Sequence, residues 1–182
     1  VSCDTSAKRA IKPIIINQLR EADFSRYPQL EFSRDLFLLS FDLQGIPFVD
    51  LAYLRKSNVN GNILVYLRHK TRQQLYITVE NCAHKIIKRY ARECKSSAYL
   101  LPILNAVGEQ GYKQYKSALR LYNKHLHQIS EMIQITPHLT SYVARHTWAS
   151  TAREKGIPVS IISTGMGHSS EKVTYVYLES LD

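Results

Sequence analysis

The chain has 182 residues, which is enough for one domain with a sizeable buried core. It carries 24 lysines and arginines against 15 acidic residues, a net charge of +9, so we expect a polyanionic partner, with nucleic acid ahead of a membrane surface. No apolar run reaches the roughly 18 residues that a membrane-spanning helix needs, and the first residues lack the pattern of a secretory signal.

Apolar spacing predicts a mainly helical chain with one strand pair. Helices are expected over residues 5–10, 30–43, 48–54, 82–90, 112–132, 140–155, 159–166 and 170–178. The first of these begins at a cap on Thr5 or Ser6, and the helix that starts near residue 140 begins at a cap on Thr140 or Ser141. Residues 13–19 are ambiguous, because a proline and three isoleucines there suit more than one structure.

The strand pair is expected over residues 63–67 and 75–79, as an antiparallel hairpin. Apolar residues alternate with polar ones in the second strand, which is the period of a half-buried strand. The turn between the strands is strongly basic. Because charged turn residues are commonplace, the turn alone predicts that Arg68, Lys70 and Arg72 are solvated.

The cysteines and histidines show no metal-binding pattern. Cys3, Cys82 and Cys94 have no CxxC spacing and are typical of reduced thiols in a cytoplasmic protein. His125 and His127 are two positions apart on a predicted helix, so their side chains diverge. We therefore predict no metal site.

Three side chains near the end of the chain form a set suited to attacking a phosphodiester. His168 follows Arg145 by 23 positions, and Tyr177 follows His168 by 9. A guanidinium offers planar, permanently charged donors to phosphate oxygens, an imidazole exchanges protons near neutral pH, and a tyrosine oxygen is a nucleophile. Neither His168 nor Tyr177 is informative alone. Arg145, on an otherwise apolar helix, needs a partner, and a bound phosphate would provide one.

Several segments stand in a characteristic order: residues 44–59, the basic hairpin with Lys70, the sequence R-H-T-W-A from Arg145, G-H-S-S around His168, and Tyr177. In this order they resemble the catalytic domain of the tyrosine recombinases, the phage-integrase family, and most of all the integrases of bacterial conjugative transposons. The resemblance covers residues 8–178. It implies an α+β class, mainly α-helical with a small antiparallel β-hairpin or sheet. It also implies one catalytic domain over residues 1–182, without the amino-terminal DNA-binding domain that the family usually carries.

The resemblance implies a site-specific DNA recombinase, or integrase, that cleaves and rejoins DNA strands. Tyr177 would be the nucleophile and would form a 3′-phosphotyrosyl link. Arg145 would stabilise the transition state, Lys70 would protonate the departing 5′-oxygen, and His168 would hydrogen-bond a phosphate oxygen. No cofactor and no small-molecule substrate is implied. The partner would be double-stranded DNA in the cytoplasm of a bacterium, with no membrane partner. The full-length protein would assemble with itself on DNA, and this chain alone would be monomeric.

The first departure from the family pattern concerns its usual first arginine. That arginine stands in a G-x-R segment, where this chain has Gly45-Ile46-Pro47. Some transposon integrases carry an arginine just before this glycine, but here the residue is Gln44. Gln44 and Arg55 are therefore candidates for phosphate binding, and Arg34 or a hairpin arginine are further possible replacements.

The second departure concerns the usual H-x-x-R motif, in which Tyr142 replaces the histidine. Tyr142 is a candidate donor to phosphate. His146 is a weaker candidate, because it points about 100° around the helix from Arg145 and is expected to be a buried structural residue. Because two expected donors are replaced, a DNA-binding module with a decayed active site stays open as an alternative. A type IB topoisomerase-like relaxase also stays open, since it shares the chemistry.

Overall fold

A computed structural model of the chain describes residues 10–179, which form eight α-helices and three β-strands. The helices are α1 Pro13–Glu21, α2 Pro28–Asp42, α3 Phe48–Tyr53, α4 Asn81–Tyr90, α5 Gly108–Met132, α6 Val143–Glu154, α7 Val159–Met166 and α8 Glu171–Glu179. The strands are β1 Val59–Asn60, β2 Ile63–Leu67 and β3 Gln74–Thr78, and a 3-10 turn over Lys56–Asn58 precedes β1. The predicted class, mainly α-helical with a small antiparallel sheet, is confirmed.

Helix α2 is at the centre of the fold, and every residue over 33–40 is buried. It packs against α4, α5 and α6 as well as α1. A helix that is covered on several sides needs apolar side chains around most of its circumference, and Phe37 and Leu39 are fully buried there. The main core of the molecule therefore surrounds α2.

The sheet has the order β1–β2–β3, and both strand pairs are antiparallel. Leu64 is paired with Ile77 and Tyr66 with Leu75, and these four side chains are buried on one face. The predicted hairpin is confirmed, with β3 starting one residue earlier than expected. Strand β1 was not predicted, because two residues are too few to show the period of a strand.

Helices α6, α7 and α8 share a small apolar cluster, distinct from the main core. Ala149, Ile162, Met166 and Leu178 are buried in it, and Tyr177 packs against them. Helix α7 contacts α6, α8 and β3. This cluster therefore holds the last helices of the described chain next to the hairpin.

Some helix boundaries differ from the prediction. Helix α1 forms in the ambiguous segment, with a proline in its first turn, where the missing N–H has no intrahelical partner to lose. Helix α5 begins at Gly108, four residues early, and the N-cap of α6 is Tyr142, with no side-chain cap from Thr140 or Ser141. The helix predicted over residues 5–10 lies almost entirely outside the described residues. Of the helices in the described part of the chain, none is long and apolar enough to cross a membrane.

A buried ion pair ties the first two helices to α4. Arg34 bonds Asp35 through Nε at 2.7 Å, and its Nη1 donates to two backbone oxygens near the end of α1, both at 2.8 Å. The other oxygen of Asp35 accepts from the Tyr90 hydroxyl and from the Arg89 guanidinium, each at 2.6 Å. Arg34 is therefore engaged in holding the core together and is not a replacement for the missing phosphate-binding arginine.

Replacing Asp35 with alanine is expected to lower the free energy of unfolding by about 3–5 kcal/mol, because it leaves the Arg34 guanidinium buried without its carboxylate. The control is Glu31→Gln. Glu31 lies 3.6 Å from the same guanidinium, but its side chain is 32% exposed, so its loss is expected to stay within about 1 kcal/mol. Urea unfolding measures both values, and equal losses would contradict a network centred on Asp35.

Candidate active site

Arg145 reaches the site from the first turn of α6 and is 4% exposed. Its Nη1 donates to the backbone oxygen of Gly45 at 2.8 Å, and its Nη2 donates to the backbone oxygen of Met166 at 2.7 Å. The loop after α2 can pass this close only because residue 45 is glycine. Gly45 has a φ of +69°, and a Cβ built there would lie 2.9 Å from the Arg145 Cα.

Arg68, at the start of the hairpin turn, is also buried, which corrects the expectation that it is solvated. Its Nη1 donates to the backbone oxygens of Met166 at 2.6 Å and Gly167 at 2.9 Å. Its Nε lies 3.7 Å from a carboxylate oxygen of Asp50. The two other cations of the turn, Lys70 and Arg72, are exposed, as expected. The hairpin thus contributes a second guanidinium beside that of Arg145.

Both arginines bind the carboxyl-terminal end of α7. The last carbonyls of a helix have no intrahelical partners and carry partial negative charge, so they are good acceptors for guanidinium groups. Gly167 ends the helix in the left-handed conformation, with a φ of +61°. A Cβ at this position would lie 2.9 Å from the Arg68 Cδ. The left-handed conformation favours glycine here, and a larger residue would also displace the Arg68 side chain.

His168 follows directly and is bonded through both ring nitrogens. Its Nε2 lies 3.2 Å from Arg145 Nη2, and its Nδ1 lies 2.8 Å from the hydroxyl of Thr174. Burial, together with the positive charges of Arg145, Arg68 and Lys70, lowers the pKa of His168 to about 4. The ring is therefore neutral near pH 7, so that Nε2 accepts from Arg145 and Nδ1 donates to Thr174.

Tyr177 lies on α8 and is half-buried. Its hydroxyl is 2.6 Å from Nδ1 of His146, and the two rings are stacked with centroids 5.2 Å apart. The ring of His168 stands edge-on to Tyr177 at 5.5 Å. His146 is buried, as expected, but it is more than a structural residue of α6, because it contacts the tyrosine of the predicted set directly.

Lys70 is at the exposed tip of the hairpin. Its charge contributes to the lowered pKa of His168, so Lys70 lies within electrostatic reach of the centre formed by Arg145, His168 and Tyr177. The structure therefore brings together the four residues that the sequence predicted as catalytic, Arg145, His168, Tyr177 and Lys70, with Lys70 at the edge.

The weaker candidates lie around this centre or away from it. Tyr142 is 62% exposed at the start of α6, with its ring 6.1 Å from that of His146. Gln44 directs its side chain at Gly165 on α7, where its Oε1 would lie 2.9 Å from a Cβ. Arg55 is exposed, and its guanidinium faces the ring of Tyr99 at 6.0 Å. Of the candidate replacements for the missing arginine, only Arg68 binds the same carbonyl as Arg145.

The charges at the centre do not balance. Burial, and after it the neighbouring charge of Arg68, lower the pKa of Arg145 to about 10, which reflects the cost of burying a cation beside another one. Asp50 is the carboxylate that pairs with Arg68, and burial raises the pKa of Asp50. These groups therefore carry an excess of positive charge, which a bound anion would neutralise. Within residues 10–179, no three His, Cys, Asp or Glu side chains form a group that could hold a metal ion.

The sequence contained a signal for the burial of Arg68 but none for the contact between His146 and Tyr177. Arg68 follows Leu64 and Tyr66 at intervals of two, so it continues the buried face of β2 by one more step. The residues of α6 over 143–147 are all buried, so helix periodicity does not set His146 apart from its neighbours. Its contact with Tyr177 depends on the packing of α8.

Comparison with known proteins identifies the family of the chain. The model of the phage integrase family matches residues 44–182. A tyrosine recombinase of Agathobacter rectalis is 27% identical over 168 residues, which are 89% of this chain and 53% of the relative. The chain therefore spans about half the length of that curated relative. Because the family model matches well over half of the chain, the chain belongs to the phage integrase family, as the sequence motifs indicated.

Solved structures share the fold at low sequence identity. XerA recombinase has a TM-score of 0.66 at 18% identity, over 93% of this chain and 59% of that chain. The Tn1549 transposon integrase in complex with transposon right end DNA has a TM-score of 0.70 at 13% identity, over 97% and 63%. A lambda integrase dimer bound to a COC′ core site has a TM-score of 0.61 at 13% identity, over 92% and 56%. The chain therefore has the fold of the tyrosine-recombinase catalytic domain.

Gly45→Ala is expected to destabilise the chain more than Gly61→Ala. Both glycines have positive φ angles, +69° and +59°, but nothing lies within 4 Å of a Cβ at Gly61. Gly61→Ala should therefore cost only the backbone strain, about 1–2 kcal/mol. Gly45→Ala adds a collision with Arg145 and should cost a further ~1–3 kcal/mol. Urea unfolding measures the difference. Equal losses would show that the loop does not need to approach α6 this closely.

Proposed function

We propose that the chain is the catalytic domain of a site-specific DNA recombinase that cuts and rejoins DNA strands through Tyr177. The observation that carries the proposal is the shared contact of two buried guanidiniums, from Arg145 and Arg68, with the carbonyl of Met166. This cationic centre lies beside His168, and the Tyr177 ring is 5.5 Å from the His168 ring. An anion-binding centre next to a tyrosine suits transfer of a phosphodiester to the tyrosine oxygen.

In the proposed reaction, the Tyr177 oxygen attacks the scissile phosphorus and the bond to the 5′-oxygen breaks. The product is a 3′-phosphotyrosyl link and a free 5′-hydroxyl. Water is not consumed, so the link keeps the energy needed for rejoining when a 5′-hydroxyl attacks it. The reaction is an exchange of one phosphodiester for another and needs no cofactor.

Arg145 and Arg68 together hold the non-bridging phosphate oxygens in this proposal. Each guanidinium is held by backbone acceptors, which would limit the reorganisation needed as charge develops in the transition state. Arg68 thereby supplies the second guanidinium that the segment Gly45-Ile46-Pro47 does not provide. Tyr142, exposed at the start of α6, can donate a hydrogen bond to the DNA backbone.

His168 and Lys70 have separate roles. The neutral ring of His168 accepts from Arg145 and so orients that guanidinium. Its other nitrogen is held by Thr174, which keeps the ring in place. Lys70, at the exposed tip, is the group that protonates the departing 5′-oxygen.

The proposed partner is double-stranded DNA, in keeping with the net charge of +9. Two of the proteins with this fold have been described on DNA, the Tn1549 integrase with a transposon end and lambda integrase as a dimer on a core site. By analogy we propose that the complete recombinase assembles with itself on DNA, whereas this chain alone is a monomer.

The alternative of a decayed, DNA-binding module has lost part of its support. It was suggested by Pro47 and Tyr142, which replace two expected donors. The buried guanidinium of Arg68 offsets the first of these losses. A topoisomerase-like relaxase would use the same centre, and recombination is favoured over it by the family to which the chain belongs.

The chain is expected to form a covalent adduct with DNA, and Tyr177→Phe to abolish it. The substrate is a pool of duplexes that carry a nick within a randomised sequence. After cleavage the short strand next to the nick dissociates, which traps the adduct. Adducts are isolated under denaturing conditions, and the attached DNA is sequenced. The control is Tyr175→Phe, an exposed tyrosine two positions earlier on α8, which should leave the yield unchanged. A wild-type chain that forms no adduct while it binds DNA would favour the decayed module.

Arg68→Lys is expected to slow adduct formation by about 10²–10³-fold, because one preorganised donor group is lost. Arg72→Lys is the matched control, since Arg72 belongs to the same turn but is exposed, and its rate should stay near that of the wild type. The measurement is the single-turnover rate at saturating protein, on a duplex recovered from the pool, after urea unfolding has shown both variants to be folded. Equal rates for the two variants would show that Arg68 does not bind the phosphate in the transition state.

A further inference from the structure

Tyr177 is hydrogen-bonded to His146, which the sequence had indicated only as a weak candidate for phosphate binding. The hydroxyl oxygen and Nδ1 of His146 are 2.6 Å apart, a short hydrogen bond. The two rings are nearly parallel, with an angle of 19° between their planes. His146 is 6% exposed, and the neighbouring Tyr142 ring lies 6.1 Å from it on the outer side. The nucleophile of the proposed reaction is therefore stacked on and hydrogen-bonded to an imidazole that is largely shielded from solvent.

The other histidine of the site cannot take this role in the observed arrangement. His168 is bonded to Arg145 through Nε2 at 3.2 Å and to Thr174 through Nδ1 at 2.8 Å. Its ring presents an edge to Tyr177, at an angle of 70°. Both of its ring nitrogens are thus engaged elsewhere, whereas Nδ1 of His146 is directed at the hydroxyl.

We propose that His146 is the proton acceptor for Tyr177 and a further catalytic residue of this site. This proposal rests on the proposed function, since it assigns the base for the same cleavage step. The phenol O–H donates to Nδ1. As the Tyr177 oxygen forms its bond to phosphorus, the phenol proton passes to Nδ1 of His146, and the P–O5′ bond breaks. The departing 5′-oxygen takes a proton from Lys70.

Rejoining runs the same transfers in reverse. The 5′-hydroxyl attacks the phosphotyrosyl phosphorus and returns a proton to Lys70, and the bond from phosphorus to the Tyr177 oxygen breaks. That oxygen then takes back the proton held on His146. The acid and the base therefore end each cycle in their starting states, and no oxidant, water or cofactor is consumed.

Two features of the fold suit His146 to this role. It is adjacent in sequence to Arg145, so one helix turn fixes both the phosphate-binding guanidinium and the base. The two side chains point about 100° apart around α6, so that Arg145 turns toward the end of α7 while His146 turns toward α8. A short, rigid element thus sets the distance between the phosphorus site and the proton acceptor.

The hydrogen bond is tested without DNA, by NMR on the chain labelled with ¹³C at the tyrosine ring and ¹⁵N at the histidine ring. In the wild type, Nδ1 of His146 should be the unprotonated nitrogen near neutral pH, and His146→Phe should shift the Tyr177 ring resonance, assigned with Tyr177→Phe. His127→Phe, a change on the exposed face of α5, should leave that resonance unchanged. A proton on Nδ1 of His146, or a Tyr177 resonance that is insensitive to His146→Phe, would overturn the proposal.

The catalytic step is tested by the single-turnover rate of adduct formation. His146→Phe keeps a flat ring against Tyr177 but has no acceptor, and His146→Asn keeps a polar atom near the position of Nδ1 but cannot take up a proton. If His146 is the base, both variants should be slower by at least about 10²-fold. A wild-type rate for His146→Asn would mean that the residue only positions Tyr177 and would overturn the proposal.

Failure of the proposed function has a different signature. A wild-type chain that forms no adduct on the nicked pool contradicts recombination, whatever the state of His146. The NMR result stands apart from that outcome, because it reports the hydrogen bond in the free protein. If a folded His146→Phe chain reacts at the wild-type rate, the proposed recombinase function stands, and only the assignment of His146 as the base is rejected.

Discussion

The carbonyl oxygen of Met166 accepts hydrogen bonds from two guanidiniums, and the rest of the candidate site depends on this shared contact. Arg68 lies 2.6 Å and Arg145 lies 2.7 Å from it. Two cations held this close repel each other, and the arrangement is stabilised by the exposed carbonyls at the end of α7 and by Asp50. An anion bound here would remove that repulsion. The like charges are held side by side by their hydrogen bonds to these backbone carbonyls.

The shared contact places strict demands on the backbone. Gly45 and Gly167 each lie against an arginine at a distance that a Cβ would make too short. Helix α7 itself is kept in position by the small cluster of Ile162, Met166 and Leu178, which is separate from the main core. Because an error of about 1 Å in the position of reacting groups can cost a hundredfold in rate, substitutions in this cluster would act on the chemistry without touching a charged residue.

Helices α2 to α8 and the hairpin could be predicted because their apolar residues repeat with the period of each element, whereas α1 lies in a segment that the sequence left ambiguous. The order of Lys70, Arg145, His168 and Tyr177 was also readable, since it is carried by short motifs. The burial of Arg68 was missed, because charged turn residues are usually solvated and its acceptors lie 98 and 99 positions away. The contact of His146 was missed for a related reason. It depends on where α8 packs, 31 residues further along the chain, and no local pattern carries that information.

The hairpin turn, which carries the second guanidinium, is attached to the end of α7 and to Asp50. Arg68 is bonded to Met166 and Gly167, the backbone N–H of His69 donates to Asp50 at 2.8 Å, and the hydroxyl of Thr71 donates to Gly167 at 3.2 Å. The residues on both sides of Lys70 are therefore attached to the centre, and a bond from the Arg72 N–H to the Arg68 carbonyl, at 2.8 Å, closes the turn. The side chain of Lys70 is exposed at the tip of this turn. Because the same turn holds the proposed phosphate-binding group, Arg68, and the proposed general acid, Lys70, any displacement of the hairpin would move both together, and in the proposed reaction phosphate binding and proton delivery would be coupled.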